Sequence, residues 1–300
     1  DTTQVLPLSA GSGSYGIEST CMWSVSSGLT VGSLADIGSY RYAKYRPGQG
    51  IIARYTAMFL NSASNVASLA GLRNAENGYY FGYPGNGANS FGINHYYNGQ
   101  VQMLTLTLSA APNAGQTIDI NLNGTHYPIT LTSSTVGAAA ETIRKSFIGN
   151  AIWRADSIDN TVVFTSARAA ATYNTNNYSV SSTGNCSGTF TTNLSAIART
   201  LDFIPLSAWN GTPINNFDPT KLNVYEINYR WLGAGVVRFS MEDPISGKMV
   251  NVHTQHWTNK NTTPHISKPG MRLGYTSAVL SGSVSTPSIV RGASMMAAIE

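Results

Sequence analysis

Residues 228–254 read NYRWLGAGVVRFSMEDPISGKMVNVHT, and this stretch decides between a nucleotide-binding fold and a β fold. A phosphate loop needs a strand, a glycine turn and then a helix whose N-terminus faces the anion. Here Gly233 and Gly235 are followed instead by strand-like residues 236–239. A turn with proline and glycine at residues 243–247 then leads to a second strand-like run. We therefore expect the two glycines to form a bulge or kink between strands and to bind no phosphate.

The bulk composition restricts the classes of partner. Charged residues make up 11% of the 300 residues, against roughly 25% in typical soluble proteins, whereas glycine, serine, threonine and asparagine are abundant. This composition is typical of extracellular or particle-bound β proteins, so we expect an extracellular, cell-surface or particle-bound location. The 18 basic and 14 acidic residues give a net charge of +4 without any basic run, so no nucleic-acid partner is expected.

Cofactors, disulfides and membrane segments are not indicated. Cys21 and Cys186 lie far apart and form neither a metal-binding motif nor a disulfide framework. A chain of this length can bury a core without a metal or a cofactor. No apolar run reaches the roughly 18 residues that span a bilayer, so we expect no membrane insertion.

Strand and turn signals dominate residues 21–103 and 199–300. Residues 40–60 predict a strand, a turn and a strand, and residues 77–99 carry repeated Asn-Gly pairs among aromatic residues, which is typical of hairpins. We predict that the two regions together form an antiparallel β-sandwich of the jelly-roll or concanavalin-like kind.

Residues 104–198 interrupt this pattern. Two strands are predicted around Asn123-Gly124, and then Ala140, Ile143 and Phe147 follow at helical spacing. Two further strands and a pair of serine- and threonine-rich strands come next. We therefore predict an inserted small α+β domain with a β-β-α-β-β core.

Residues 1–20 are predicted to be an assembly arm. Apolar Val5, Leu6 and Leu8 precede the glycine- and serine-rich residues 10–16. A short apolar strand on a flexible tether can add to the exposed sheet edge of another subunit. We expect the arm to reach into an adjacent copy and to link subunits head to tail.

The residue patterns of glycosidases and nucleophilic enzymes are missing. A glycosidase needs two carboxylates roughly 5 to 10 Å apart, but Glu226 stands alone in its strand, and Glu242 and Asp243 point apart in a turn. No Gly-x-Ser-x-Gly sequence is present. We assign no catalytic residue and expect a protein that is not an enzyme.

Metal sites are equally unsupported. His253 and His256 lie three residues apart in a strand and loop, where that spacing sends them to opposite faces. Asp156 and Asp159 flank a turn without a third oxygen ligand at a useful spacing. No metal-binding or cofactor-binding residue is assigned.

Aromatic residues carry the remaining functional signal. Exposed aromatic rings beside asparagine and aspartate are what sugar-binding faces use, and Tyr97 and Trp257 are the candidates for such a site. The alternative is that the aromatic residues fill the sandwich core or subunit contacts. The aromatic residues of the β segments include Trp23, Tyr79, Tyr80, Tyr83, Tyr96, Tyr97, Trp209, Trp231 and Trp257.

Three motifs follow one another along the chain: Tyr45-Arg46-Pro47-Gly48, Asp218-Pro219-Thr220-Lys221 and residues 231–239. In this order they resemble head or tail fibre and capsid-associated proteins of bacteriophages and of large algal or giant viruses. The resemblance covers most of residues 40–300. Because its motifs are turns and strands, it implies a shared fold and setting, with no catalytic position to carry over.

The expected function is therefore that of a structural subunit. We expect self-assembly into a virion fibre, a capsid component or an extracellular filament, with copies of the same chain as partners. The alternative is a lectin-like carbohydrate-binding module for surface attachment, with glycans as partners.

Overall fold

A computed structural model describes residues 5–46, 48–113, 115–150, 152–170, 173 and 177–299, and it divides the chain into two compact units. The first unit comprises Asp1–Tyr97 and Thr200–Glu300, and the second comprises Asn98–Arg199. The predicted fold class, an antiparallel β-sandwich with an inserted small α+β domain, is confirmed. The sequence placed the insertion at residues 104–198.

The first unit, which we call the sandwich, consists of strands from both sides of the insertion. Its strands are β1 (Val5–Ala10), β2 (Ser14–Ile17), β3 (Trp23–Ser26), β4 (Leu34–Ser39), β5 (Ile51–Leu60), β6 (Val66–Arg73), β7 (Gly78–Pro84), β8 (Gly92–Tyr97), β16 (Thr200–Pro205), β17 (Asn223–Tyr229), β18 (Val237–Glu242), β19 (Met249–Gln255), β20 (Arg272–Val279), β21 (Ile289–Gly292) and β22 (Met295–Ile299). A 3₁₀ turn, Leu206–Ala208, follows β16.

These strands form two antiparallel sheets. One has the order β1-β4-β20-β6-β7-β8-β16, and the other has the order β19-β18-β17-β5-β21-β3-β2, with β22 also paired to β5. Side chains alternate between the two faces of each strand, so one face of each sheet can form the core. In β5, every second residue from Ile51 to Phe59 is buried. These side chains meet inward-facing residues of β7, among them Tyr79 and Phe81, and of β17, among them Tyr225, in one aromatic-rich core.

The second unit, the insertion, has its own core. Its elements are β9 (Met103–Leu108), β10 (Thr117–Leu122), β11 (Thr125–Thr130), α1 (Val136–Ser146), β12 (Trp153–Ile158), β13 (Thr161–Ser166), β14 (Tyr178–Ser182) and β15 (Gly188–Leu194). The sheets run β11-β10-β14 and β12-β13-β9-β15. The helix begins after Thr135, whose hydroxyl accepts from the Ala138 amide, and buries Ala139, Ala140 and Ile143.

The β-β-α-β-β core was predicted with its elements in the right order. The last two strands differ from the prediction: β14 pairs with β10 and β15 pairs with β9, so they are not a hairpin. The reason is that each strand completes a different sheet. Of the two cysteines, Cys21 is exposed, Cys186 is buried, and both are free.

The residues predicted to form an N-terminal assembly arm lie, as far as the structure describes them, in the chain's own sheet. Val5, Leu6 and Leu8 lie in β1, which pairs with β4 of the same chain along its whole length. Val5 packs against the sandwich core. β4 pairs with the main-chain groups on one side of β1, where the prediction had placed the sheet of a neighbouring copy, and β1 forms one edge of its sheet. Residues 1–4 lie outside the described residues.

Gly233 and Gly235 shape a turn between β17 and β18, and no helix follows them. Gly233 has a φ of +77°, and the Gly235 amide donates to the Trp231 carbonyl at 2.7 Å. A Cβ at Gly235 would lie 1.7 Å from the Arg230 carbonyl oxygen, so only glycine fits there. The glycines therefore serve the fold, although in a hairpin turn and not in a strand bulge.

Candidate functional site

Two rows of residues face each other at one end of the sandwich. In the first sheet, register places Asp202, His95 and Tyr79 side by side on adjacent strands. In the second sheet, Tyr229 and Gln255 flank Val237 in the same way. The rows meet where the Tyr79 and Tyr229 rings lie 5.5 Å apart between centroids.

The loop after β19 completes this end of the sandwich. His265 lies in that loop, and its ring centroid is 6.4 Å from that of His95 and 6.3 Å from that of Tyr79. We call Tyr79, His95, Tyr229, Gln255 and His265 the polar cluster. All five side chains are buried, although Tyr79, His95 and Tyr229 come from strands whose neighbouring inward positions are apolar.

Each member of the polar cluster has a buried polar atom without a hydrogen-bond partner among the described residues. These atoms are the hydroxyls of Tyr79 and Tyr229, the Nε2 atoms of His95 and His265, and Oε1 of Gln255. A buried polar atom without a partner destabilises the fold by about 1 to 3 kcal/mol. Five such atoms at one place mark this end of the sandwich as the candidate functional site.

The two imidazoles are held neutral by their surroundings. Burial, together with the neighbouring His265, lowers the pKa of His95 to about 3. Burial also lowers the pKa of His265, partly offset by the hydrogen bond to Gly233. In that hydrogen bond the His265 Nδ1 donates to the Gly233 carbonyl at 2.9 Å, so Nε2 carries a lone pair and can accept.

The phenol groups complete a mixed set of donors and acceptors. Burial raises the pKa of Tyr79 and of Tyr229, so both hydroxyls keep their protons and can donate or accept. Gln255 Oε1 is an acceptor only. This combination suits alcohol groups, which donate and accept, better than it suits an ion.

Two aromatic rings border the polar cluster, and each lies against an imidazole. Tyr97 stacks on His95 with centroids 4.8 Å apart, and Trp257 stacks on His265 at 4.1 Å. Trp257 also contacts His95 edge-on at 5.3 Å. Both rings are only partly buried. We call Tyr97 and Trp257 the platform pair, because each has one face supported by a histidine.

The structure thus brings together the two residues that the sequence singled out for sugar binding, although they lie far apart in the chain. The polar cluster itself was missed. His95 could have been found, since it stands between Ile93 and Tyr97 at an inward strand position where an apolar residue is the rule. His265 lies in a loop and gives no such signal.

Other candidate residues lie elsewhere or have structural partners. Glu226 pairs with Arg54 across β17 and β5 at 2.5 Å. His253 is buried and accepts from the Asn210 amide at Nδ1, whereas His256 is exposed. Within the described part of the chain, no three His, Cys, Asp or Glu side chains are grouped to hold a metal ion. Nor does any described helix have the length and apolar character to cross a membrane.

No protein-family description matches the sequence, and no curated protein matches it. Solved structures with similarity include arcelin-5, a lectin-like defence protein from Phaseolus vulgaris, at 9% identity, covering 99% of this chain and 92% of that one, with a TM-score of 0.34. A Bauhinia forficata lectin in complex with GalNAc matches at 8% identity, 100% and 94% coverage and a TM-score of 0.33. An alginate lyase from Klebsiella pneumoniae matches at 7% identity, covering 96% of this chain and 85% of that one, with a TM-score of 0.35. These TM-scores are too low to assign a function.

Proposed function

We propose that the protein binds carbohydrate at the end of the sandwich where the platform pair borders the polar cluster. The observation that carries this proposal is the combination at one place of two supported, partly exposed aromatic rings and five buried polar atoms without partners. Aromatic faces stack on the C–H faces of sugar rings, and unpaired donors and acceptors match sugar hydroxyls.

The supporting histidines explain why the platforms are fixed. Tyr79, His95 and Tyr97 form a continuous stack, with interplanar angles of 10° and 21° between successive rings. Trp257 and His265 are nearly parallel at 8°. A ring held in this way loses little conformational entropy when a ligand stacks on it, so more of the contact energy remains as affinity.

The test is binding to a glycan array, followed by titration with the best glycan. We expect Trp257→Ala and Tyr97→Ala each to weaken binding roughly tenfold or more, because a stacked aromatic ring contributes about 1.5 kcal/mol or more to such contacts. The matched control is Tyr15→Ala, which removes an exposed tyrosine of β2 (47% exposed). Absence of binding to any glycan, or equal loss in all three variants, would contradict the proposal.

A second function, self-association, is favoured by the edge strand β22. Its residues are all apolar, with Met296 49% and Ile299 38% exposed, and among the described residues it pairs only with β5. Two other edge strands, β1 and β19, carry features that hinder pairing. Pro7 interrupts β1, and the chain at residues 210–212 bonds to the outer edge of β19.

We propose that the occupant of this edge is β22 of a second copy, paired antiparallel about Ala297. This arrangement sets alanines at the centre and places Met295 opposite Ile299 of the other copy. Sedimentation velocity over a concentration series tests it. Met296→Lys should shift the protein towards monomer, whereas Ile245→Lys, in an exposed turn, should not. A wild type that is monomeric throughout would eliminate this function.

A further inference from the structure

Asp202 lies next to the platform pair on the edge strand of the first sheet. It pairs in register with His95 and shares its face, while Thr200, two residues earlier, pairs with Tyr97. Asp202 is therefore the diagonal neighbour of Tyr97, with Cα atoms about 7 to 8 Å apart. The exposed carboxylate therefore lies beside the His95–Tyr97 stack, on the same face of the sheet.

Gln255 holds this carboxylate in place from the opposite sheet. Its Nε2 donates to Asp202 Oδ2 at 3.3 Å, and its Oε1 is buried without a partner among the described residues. Asp202 Oδ1 has no hydrogen bond within the described chain. Asp202 thus offers the two adjacent oxygens of its carboxylate, and the Gln255 amide restricts the rotation of the acid.

Adjacent acceptors of this kind match adjacent hydroxyl groups. Two neighbouring hydroxyls of a sugar can each donate, and bonds to a charged acceptor are stronger than bonds to a neutral one. A carboxylate on the ligand would instead meet Asp202 as a like charge. Among the described residues no lysine or arginine forms an ion pair with Asp202, and Lys268, in the loop of His265, is already paired with Glu76 at 2.8 Å.

We propose that Asp202, oriented by Gln255, selects uncharged sugars with adjacent free hydroxyl groups and rejects uronic acids at this site. The inference rests on the proposed carbohydrate binding. It adds the chemical class of the ligand and the residue that determines it.

The experiment compares matched ligands that differ only in charge. Calorimetric titration uses methyl glucoside, methyl galactoside and methyl mannoside, and then the methyl uronide of whichever binds. We expect the wild type to bind the neutral glycoside at least about tenfold more tightly than its uronide. Asp202→Asn should weaken neutral binding and narrow that difference. Gln255→Leu should weaken neutral binding while keeping the discrimination against the uronide.

The outcomes separate this inference from the proposed function. If the neutral sugar and its uronide bind equally to the wild type, or if Asp202→Asn changes neither affinity, the inference is overturned. Carbohydrate binding would still stand if Trp257→Ala weakens binding to the best glycan roughly tenfold or more. If the wild type binds a glycan of the array but none of these methyl glycosides, the inference alone is overturned. If it binds neither these glycosides nor any glycan of the array, both fail. Thermal unfolding of Asp202→Asn should match the wild type, because the side chain is exposed.

Discussion

His95 occupies a position that the strand pattern reserves for an apolar side chain. It lies on the inward face of β8 between Ile93 and Tyr97, and it is 2% exposed. An imidazole there weakens the core, since its Nε2 has no partner in the described chain. Residues that oppose local stability in this way concentrate at functional sites, which agrees with the role proposed for this end of the sandwich.

The buried histidine makes stability depend on pH. The pKa of His95 is about 3 in the folded protein, against about 6.5 in an unfolded chain, so the unfolded state binds more protons between these values. The free energy of unfolding should be at its full value above pH 6.5 and fall as the pH drops towards 3. The contribution of His95 should approach about 1.4 kcal/mol per pH unit.

Urea unfolding at pH 7, 5.5 and 4.5 measures this dependence. His95→Gln should give a flatter profile than the wild type. Parallel profiles for His95→Gln and the wild type would show that His95 is protonated alike in both states.

At the scale of elements, the turn between β17 and β18 accepts only glycine at residue 235. Gly235→Ala would place a Cβ 1.7 Å from the Arg230 carbonyl oxygen, so the turn must open. We expect a loss of more than about 1 kcal/mol in the free energy of unfolding. Gly16→Ala is the control, because a Cβ there meets nothing within 4 Å. Chemical denaturation measures the free energy of unfolding of both variants. If the two values are equal, the turn accommodates the added Cβ without a loss of stability.

Elements with strong periodicity were predictable, and pairing partners were not. The α1 helix and the Asn123-Gly124 turn follow from local spacing, and positive φ values at both turn residues agree with a tight hairpin. By contrast, β14 and β15 carry no local signal for their partners β10 and β9, because pairing is decided by tertiary packing. The same limit applies to β1, which the sequence predicted as part of an assembly arm and not as a strand of the chain's own sheet. For the same reason the sequence could name Tyr97 and Trp257 but not the contacts that join them.

At the scale of the whole molecule, the insertion interrupts the sandwich between two strands that are already paired neighbours. Tyr97 and Thr200 are paired residues of β8 and β16, so the two ends of the sandwich chain are neighbours. Replacing residues 98–199 by the two-residue turn Asn-Gly should therefore leave the sandwich folded.

Calorimetry and circular dichroism of the shortened protein test this prediction. We expect one cooperative thermal transition and a β spectrum. A matched variant, in which residues 98–199 are replaced by a single proline, cannot form the turn and should be less stable. If the Asn-Gly version lacks a cooperative transition, the sandwich depends on the insertion for its stability.

The pairing of Tyr97 with Thr200 also bears on the order in which the chain folds. Without structure in between, closing the loop of residues 98–199 costs about 3 kcal/mol more than closing a hairpin turn, at about 0.6 kcal/mol for each doubling of length. The ends of the insertion meet in a bridge between Gln100 and Ile197, so a folded insertion has already closed that loop. A folded insertion should therefore speed the pairing of β8 with β16. Mutations that destabilise it should slow refolding of β8 onto β16 while leaving the unfolding rate of the sandwich unchanged.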